Sequence, residues 1–181
     1  VADRENSRVQ LFDTEGKYLE EWNDVIRPTG ISFDSVGNVY ITGEMRGDLD
    51  ADSDGVADIS FQDGYETFVV KYDANGDLLG TLNLPGDDLS RRIEVTDTGI
   101  FVAGFFWGGD FDPDPGSATT LDATLNGRAL FLAKYNPDFS FAHVTQFGSL
   151  RQDESFFGNN DTIWSTDVDG EGSIYISGRL D

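Results

Sequence analysis

Cysteine is absent from the 181 residues, which excludes disulfides, thiolate metal sites and cysteine nucleophiles but assigns no compartment. Histidine occurs once. His143, in the outer-strand pattern Phe141-Ala-His-Val144, has no Cys or second His to join and makes neither a zinc site nor a triad, so a structural or exposed role is expected. Positive charge is scarce: 12 basic residues face 34 acidic ones, a formal net charge of −22. Such a field repels phosphate backbones and anionic membranes, which argues against nucleic acid as a partner. It attracts cations, and salt screens its self-repulsion. No apolar run approaches the roughly 20 residues that span a bilayer, so membrane insertion is not expected. Helical periodicity is essentially missing. There is no signal-peptide pattern and the first residue is Val, so the chain reads as a processed product or a piece of something longer.

What is abundant is glycine (21 residues) and phenylalanine (14 residues) in a chain that is 38% hydrophobic, the composition of many short strands joined by tight turns. The chain also repeats itself. Gly30-Ile-Ser-Phe-Asp34 followed by Gly37-Asn-Val-Tyr-Ile-Thr-Gly43 returns as Ile93-Glu-Val-Thr-Asp97 with Gly99-Ile-Phe-Val-Ala-Gly104. It returns again as Ser165-Thr-Asp-Val-Asp169 with Gly172-Ser-Ile-Tyr-Ile-Ser-Gly178. Each is a hairpin signature, two β-rich runs around an Asp/Gly turn. A second hairpin alternates with it: Arg8–Trp22, then Phe68-Val-Val-Lys-Tyr-Asp73 through Leu82, then Phe131-Leu-Ala-Lys-Tyr-Asn136 through Val144. Phe12, Tyr72 and Tyr135 fall at one place, just before the turn.

Two alternating hairpins make four antiparallel strands per period, and the landmark glycines Gly43, Gly104 and Gly178 lie 61 and 74 residues apart. This predicts an all-β array of four-stranded β-propeller blades, about three blades' worth. The recurrence of motifs favours blades over a β-sandwich. The expected division is a half blade (1–22), two whole blades (26–84 and 91–147) and a second half blade (162–178). Three blades cannot close around an axis, so each end is expected to leave an apolar face and strand edges for something to cover.

The residues Asp3, Asn6, Arg8, Val9, Gln10, Phe12 and Gly16, continued by Pro28, Gly30, Ile31, Asp34, Gly37, Asn38 and Tyr40, resemble the NHL repeat pattern. The later copies, Phe68–Asp73, Phe131–Tyr135 and Asp110-Phe-Asp-Pro113, resemble the bacterial beta-propeller repeat SBBP. The resemblance implies a propeller fold and a secreted or cell-surface bacterial protein. The histidine-rich lyase site found in one branch of the NHL group is not implied, because this chain has only His143.

The densest chemical feature is Gly47-Asp48-Leu-Asp50-Ala-Asp52-Ser-Asp54-Gly55-Val-Ala-Asp58. Calcium takes six to eight oxygen ligands, and alternating carboxylates in a loop that turns at Gly converge on one point. Asp50, Asp52 and Asp54 are expected to supply side chains, Val56 a carbonyl, and Asp58 a further ligand, with Asp48 beside them. This is no EF-hand, since Phe61 stands where the bidentate Glu belongs and no helix pattern flanks the loop. Asp110, Asp112 and Asp114 align with Asp48, Asp50 and Asp52, though Pro113 and Pro115 stiffen that loop without metal. Arg179-Leu-Asp181 resembles the start of a third copy. The bland alternative is a solvated acidic linker.

Phe105-Phe-Trp107 could form a platform for sugar or a partner, or cover a neighbouring blade. Asn160-Asp-Thr162 is an N-glycosylation sequon, and Ser117–Thr124 is rich in Thr. Carboxylate pairs abound, but no acid/base pair stands out, because most Asp fall at turns where they bond to backbone. The leading expectation is a non-catalytic structural or adhesion protein, extracellular or at the cell surface, built from calcium-stabilised blades. Its expected partner is itself, in a ring or filament, or more blades of a longer chain. The alternatives are a ligand- or carbohydrate-binding module and a fragment of a propeller enzyme with its active site elsewhere.

Overall fold

The structure is a computed structural model that describes residues 1–62, 64–86, 88–107, 110–114, 121–122, 128–147, 162–169 and 171–179. Asn160, Ser117–Thr120, 123–124 and Leu180–Asp181 lie outside the described residues. Fifteen strands account for the regular structure, with one 3₁₀ turn at Arg4–Asn6 and no α-helix among the described residues. β1 (Ala2–Asp3), β2 (Arg8–Phe12) and β3 (Tyr18–Trp22) form the first sheet. β4 (Pro28–Phe33), β5 (Val39–Met45), β6 (Glu66–Tyr72) and β7 (Leu78–Leu84) form the second, in that order. β8 (Asp88–Thr96) and β9 (Gly99–Trp107) join β12 (Arg128–Tyr135) and β13 (Phe141–Phe147) in the third. Between them β10 (Asp110–Phe111) and β11 (Leu121–Asp122) make a small ribbon. β14 (Thr162–Val168) and β15 (Ile174–Arg179) form the last, two-stranded sheet.

Every pairing is antiparallel and follows chain order, the up-and-down arrangement of propeller blades. The first strands stack inward side by side, β4 beside β8 and β8 beside β14, and the sheets do not close into a ring.

The repeat is reproduced down to its irregularities. The first-to-second strand pairs each carry a bulge at one place, between Pro28 and Gly30, Ser90 and Arg92, and Ile163 and Ser165. The third-to-fourth pairs bulge between Leu11 and Phe12, Lys71 and Tyr72, and Lys134 and Tyr135. The first bulge explains the landmark glycines. A Cβ on Gly43 would stand 2.8 Å from the Arg27 carbonyl oxygen, and on Gly104 and Gly178 2.2 Å from those of Leu89 and Thr162. The bulged strand presses its backbone onto the second strand, and only glycine leaves room.

The turns consume much of the acidic charge. In the turns at Asp13, Asp34, Asp73 and Asp169 the carboxylate accepts two backbone N–H groups, from the residues two and four positions on. In each the glycine three residues after the Asp sits at positive φ and donates back to the Asp carbonyl. Phe139 takes that position in the third sheet at φ 67, where its ring packs on Tyr40.

Three apolar clusters lie between successive sheets. Val9, Val39, Ile41, Phe68 and Val70 join the first and second sheets, while Tyr40, Val69, Ile93, Val102 and Phe131 join the second and third. Leu89, Ala103, Phe105, Leu130 and Ile163 join the third and fourth. Because β5 and β9 are covered on both faces, they are buried almost throughout and read as near-continuous apolar runs.

Candidate metal centre and the arginine cleft

The acidic loop leaves the second sheet after β5 and returns into β6. A bridge between Leu49 and Ile59 closes its base, with the Leu49 N–H donating to the Ile59 carbonyl at 2.9 Å. The alternation of the motif has two faces. Leu49, Ala51 and Ile59 are buried in the cluster shared with the first sheet, while Asp48, Asp52, Asp54 and Asp58 are exposed and Asp50 is half-buried. The apolar residues between the carboxylates are plugs that fasten the loop to the core.

Carboxylate oxygens of Asp50, Asp52 and Asp58 lie within 4.8 Å of one another, and among the described residues they alone form such a group. Backbone amides hold them there. Asp50 accepts from the N–H groups of Asp54 and Gly55 at 3.2 and 2.9 Å, Asp52 from Asp54 at 3.1 Å, and Asp58 from Ala51 at 2.8 Å. Asp48 and Asp54 stand outside this group: Asp48 accepts from the Phe61 N–H and Asp54 from the Val56 N–H. The Asp54 N–H lowers the pKa of Asp52, but burial and repulsion from Asp54, Asp58 and Asp50 together leave it raised. The charge in the loop is therefore uncompensated, and the three carboxylates suit a hard divalent cation that needs oxygen ligands.

The third sheet repeats the support of this loop. The Tyr72 hydroxyl donates to the carbonyl of Ala51, between Asp50 and Asp52, at 2.8 Å. The Tyr135 hydroxyl donates to the carbonyl of Pro113, between Asp112 and Asp114, at 2.7 Å. The two loops thus share one register. Burial, with the nearby charges of Asp24, Asp58 and Asp52, pushes the Tyr72 phenol above its ordinary pKa and keeps it a donor. In the third sheet Phe111 and Pro113 are the buried plugs, Asp112 and Asp114 are half-buried, and the Asp114 N–H donates to Asp112 at 3.0 Å. Asp110 begins β10; its side chain lies outside the described residues.

The other residues singled out by the sequence part company. His143 is exposed on β13, with a side-chain hydrogen bond to Thr145 at 3.1 Å. Phe105 and Phe106 are buried between sheets, and only Trp107 reaches a surface. Trp107 lines a cleft of about 400 Å³ whose other walls the motifs did not reveal: Arg4, Arg27, Glu44, Arg46, Tyr65 and Leu89. They come from the turn after β1, the starts of β4, β6 and β8 and the end of β5, positions that only the stacking of sheets brings together. Arg4 and Arg27 both bond the carboxylate of Glu44, which is 2% exposed.

Stacked antiparallel sheets of one repeated design, with loops that return at one register, define a β-propeller repeat protein. Comparison with known families agrees: the model of the beta-propeller repeat SBBP matches residues 17–44. The matched stretch runs from β3 through β5, in the part of the chain whose residues resemble the NHL pattern. No curated protein matches the chain.

Proposed function

We propose that the chain is a non-catalytic structural protein whose open stack of propeller blades is completed by a further blade of the same kind, supplied by a second copy. The observation that carries this reading is the contrast between Tyr40 and Tyr175, which occupy the same repeat position. Each hydroxyl donates to the turn aspartate six residues before it, at 3.4 Å to Asp34 and 3.0 Å to Asp169. Tyr40 is 1% exposed beneath the third sheet, whereas Tyr175 is 61% exposed. Trp164 on the same sheet is 58% exposed. Large exposed aromatics at a position the repeat buries mark a docking surface.

The opposite end also exposes an aromatic at a position the repeat buries, since Phe12 is 41% exposed where Tyr72 and Tyr135 are buried, but there apolar and charged residues are mixed. Val9, Leu11 and Trp22 pack toward the second sheet, so strand alternation puts Arg8, Gln10 and Glu21 on the outward face. There Arg8 pairs with Asp3 and Glu21 at 2.9 and 2.8 Å. Strand β1 also occupies the edge of β2. The reading therefore favours a sheet packing over Tyr175 rather than two half blades sharing strands.

Calcium at Asp50, Asp52 and Asp58 belongs to the same reading, as a clamp on the long connection of the second sheet. A loop of this exposure fits the weak sites of extracellular modules, which work at the calcium concentrations found outside cells; hence the location proposed is outside the cell or at its surface. The test is mass in solution by light scattering. The chain is expected to associate, and Tyr175→Glu to give monomers that melt at the temperature of the dilute, dissociated chain. Association untouched by Tyr175→Glu would overturn the proposed surface.

A further inference from the structure

We infer that the arginine cleft is a binding site for an acidic sugar, a pyranose carrying one carboxylate. The local charge is the first ground. Arg4, Arg27 and Arg46 face the carboxylates of Glu44 and Glu5; Arg4 pairs with both, and Arg27 with Glu44 and, at 3.6 Å, with Glu5. Three guanidiniums against two carboxylates leave one positive charge, in a chain whose net charge is −22. Arg46 forms no ion pair among the described residues; its guanidinium lies 3.5 Å from the centre of the Tyr65 ring. A planar fork held on an aromatic face is set to take a carboxylate bidentately.

The second ground, which separates a sugar from a bare anion, is the apolar wall. Tyr65 and Trp107 have ring centres 6.0 Å apart at an interplanar angle of 46°, and Leu89 lies beside them. Such a wall suits the C–H face of a pyranose ring, and the volume of about 400 Å³ falls in the range of small-ligand sites. The long-range field of the chain disfavours polyanions but is screened beyond about 8 Å at physiological salt, so a single carboxylate reaches the arginines.

Titration calorimetry with glucuronate, glucose and acetate tests this on the intact chain. Glucuronate is expected to bind on the order of tenfold tighter than either of the others, because glucose lacks the carboxylate for Arg46 and acetate lacks the ring for the aromatic wall. Arg46→Gln, at an exposed position and checked by an unchanged melting temperature, should abolish the preference for glucuronate over glucose. Trp107→Phe should weaken both sugars alike. Glucuronate binding no tighter than glucose, or a preference that survives Arg46→Gln, would overturn the assignment.

Discussion

The hairpin β4–β5 and the hairpin β14–β15 are built alike and end up in different surroundings. They share the bulge, the Asp turn, the glycine under a bulged carbonyl and the tyrosine bonded to the turn aspartate. Tyr40 nonetheless lies against Phe139 at 6.4 Å and beneath the ammonium of Lys71 at 5.0 Å, while Tyr175 faces outward. The internal geometry of a blade is thus local, written into its turns and bulges. Burial is supplied by the neighbour, which is why an end sheet shows what an inner sheet hides.

The comparison can be broken at several strengths. The largest effect is expected from Phe131→Ala, which empties a fully buried ring packed 4.5 Å from Phe111 and should cost about 3–5 kcal/mol in urea unfolding. An end-sheet substitution such as Tyr175→Ala should leave the urea midpoint of the monomer nearly unchanged. Gly104→Ala comes next, at about 1–3 kcal/mol or more, since its Cβ would meet backbone rather than a movable side chain. Gly178→Ala, with the same clash in a half sheet, should show a smaller unfolding penalty. Calcium follows: at 1 mM with a Kd near 10⁻⁴ M it should add about 1.4 kcal/mol, or roughly 3–6 °C in melting temperature. Asp52→Asn with Asp58→Asn should remove that shift, while Asp48→Asn should not. Tyr72→Phe and Tyr135→Phe should each cost about 1 kcal/mol for the lost bond to the loop carbonyl, and only Tyr72→Phe should weaken the calcium response.

The smallest effect is on pH. At Asp34 burial opposes ionisation, but the N–H groups of Asn38 and Val36 and the Asn38 side chain leave the pKa lowered. Backbone N–H groups lower Asp73 and Asp169. Their contribution to stability is present above the ordinary carboxylate pKa and is lost as pH falls through the lowered folded values. Asp52 runs the other way: its raised pKa means that ionisation costs stability as pH rises through the carboxylate range, a loss that calcium should cancel. Melting curves from pH 3 to 6, roughly spanning these ordinary values, with and without calcium, should show the two trends diverging.

Much of the fold was legible because its devices are local. An Asp followed by Gly three residues later is both a sequence pattern and a finished turn, and the alternating loop announced itself by composition. The landmark glycines were visible as a spacing, but their cause, a bulged carbonyl on the neighbouring strand, was not. Tyr72 and Tyr135 could be aligned, yet their hold on Ala51 and Pro113 spans about 20 residues. The alternation of Asp48 to Asp54 suggested one convergent ligand set; the three carboxylates that the structure draws together are those of Asp50, Asp52 and Asp58. Arg4, Arg27, Glu44 and Arg46 sit in no motif, because the cleft exists only where the ends of three sheets meet.

Amide hydrogen exchange across a dilution series, read separately for β5 and β15, tests the central claim most directly. The account predicts that β5 exchanges slowly at every concentration, while β15 exchanges fast when dilute and slows as the chain is concentrated and its open face is covered. A β15 as protected as β5 at the lowest concentration would contradict it.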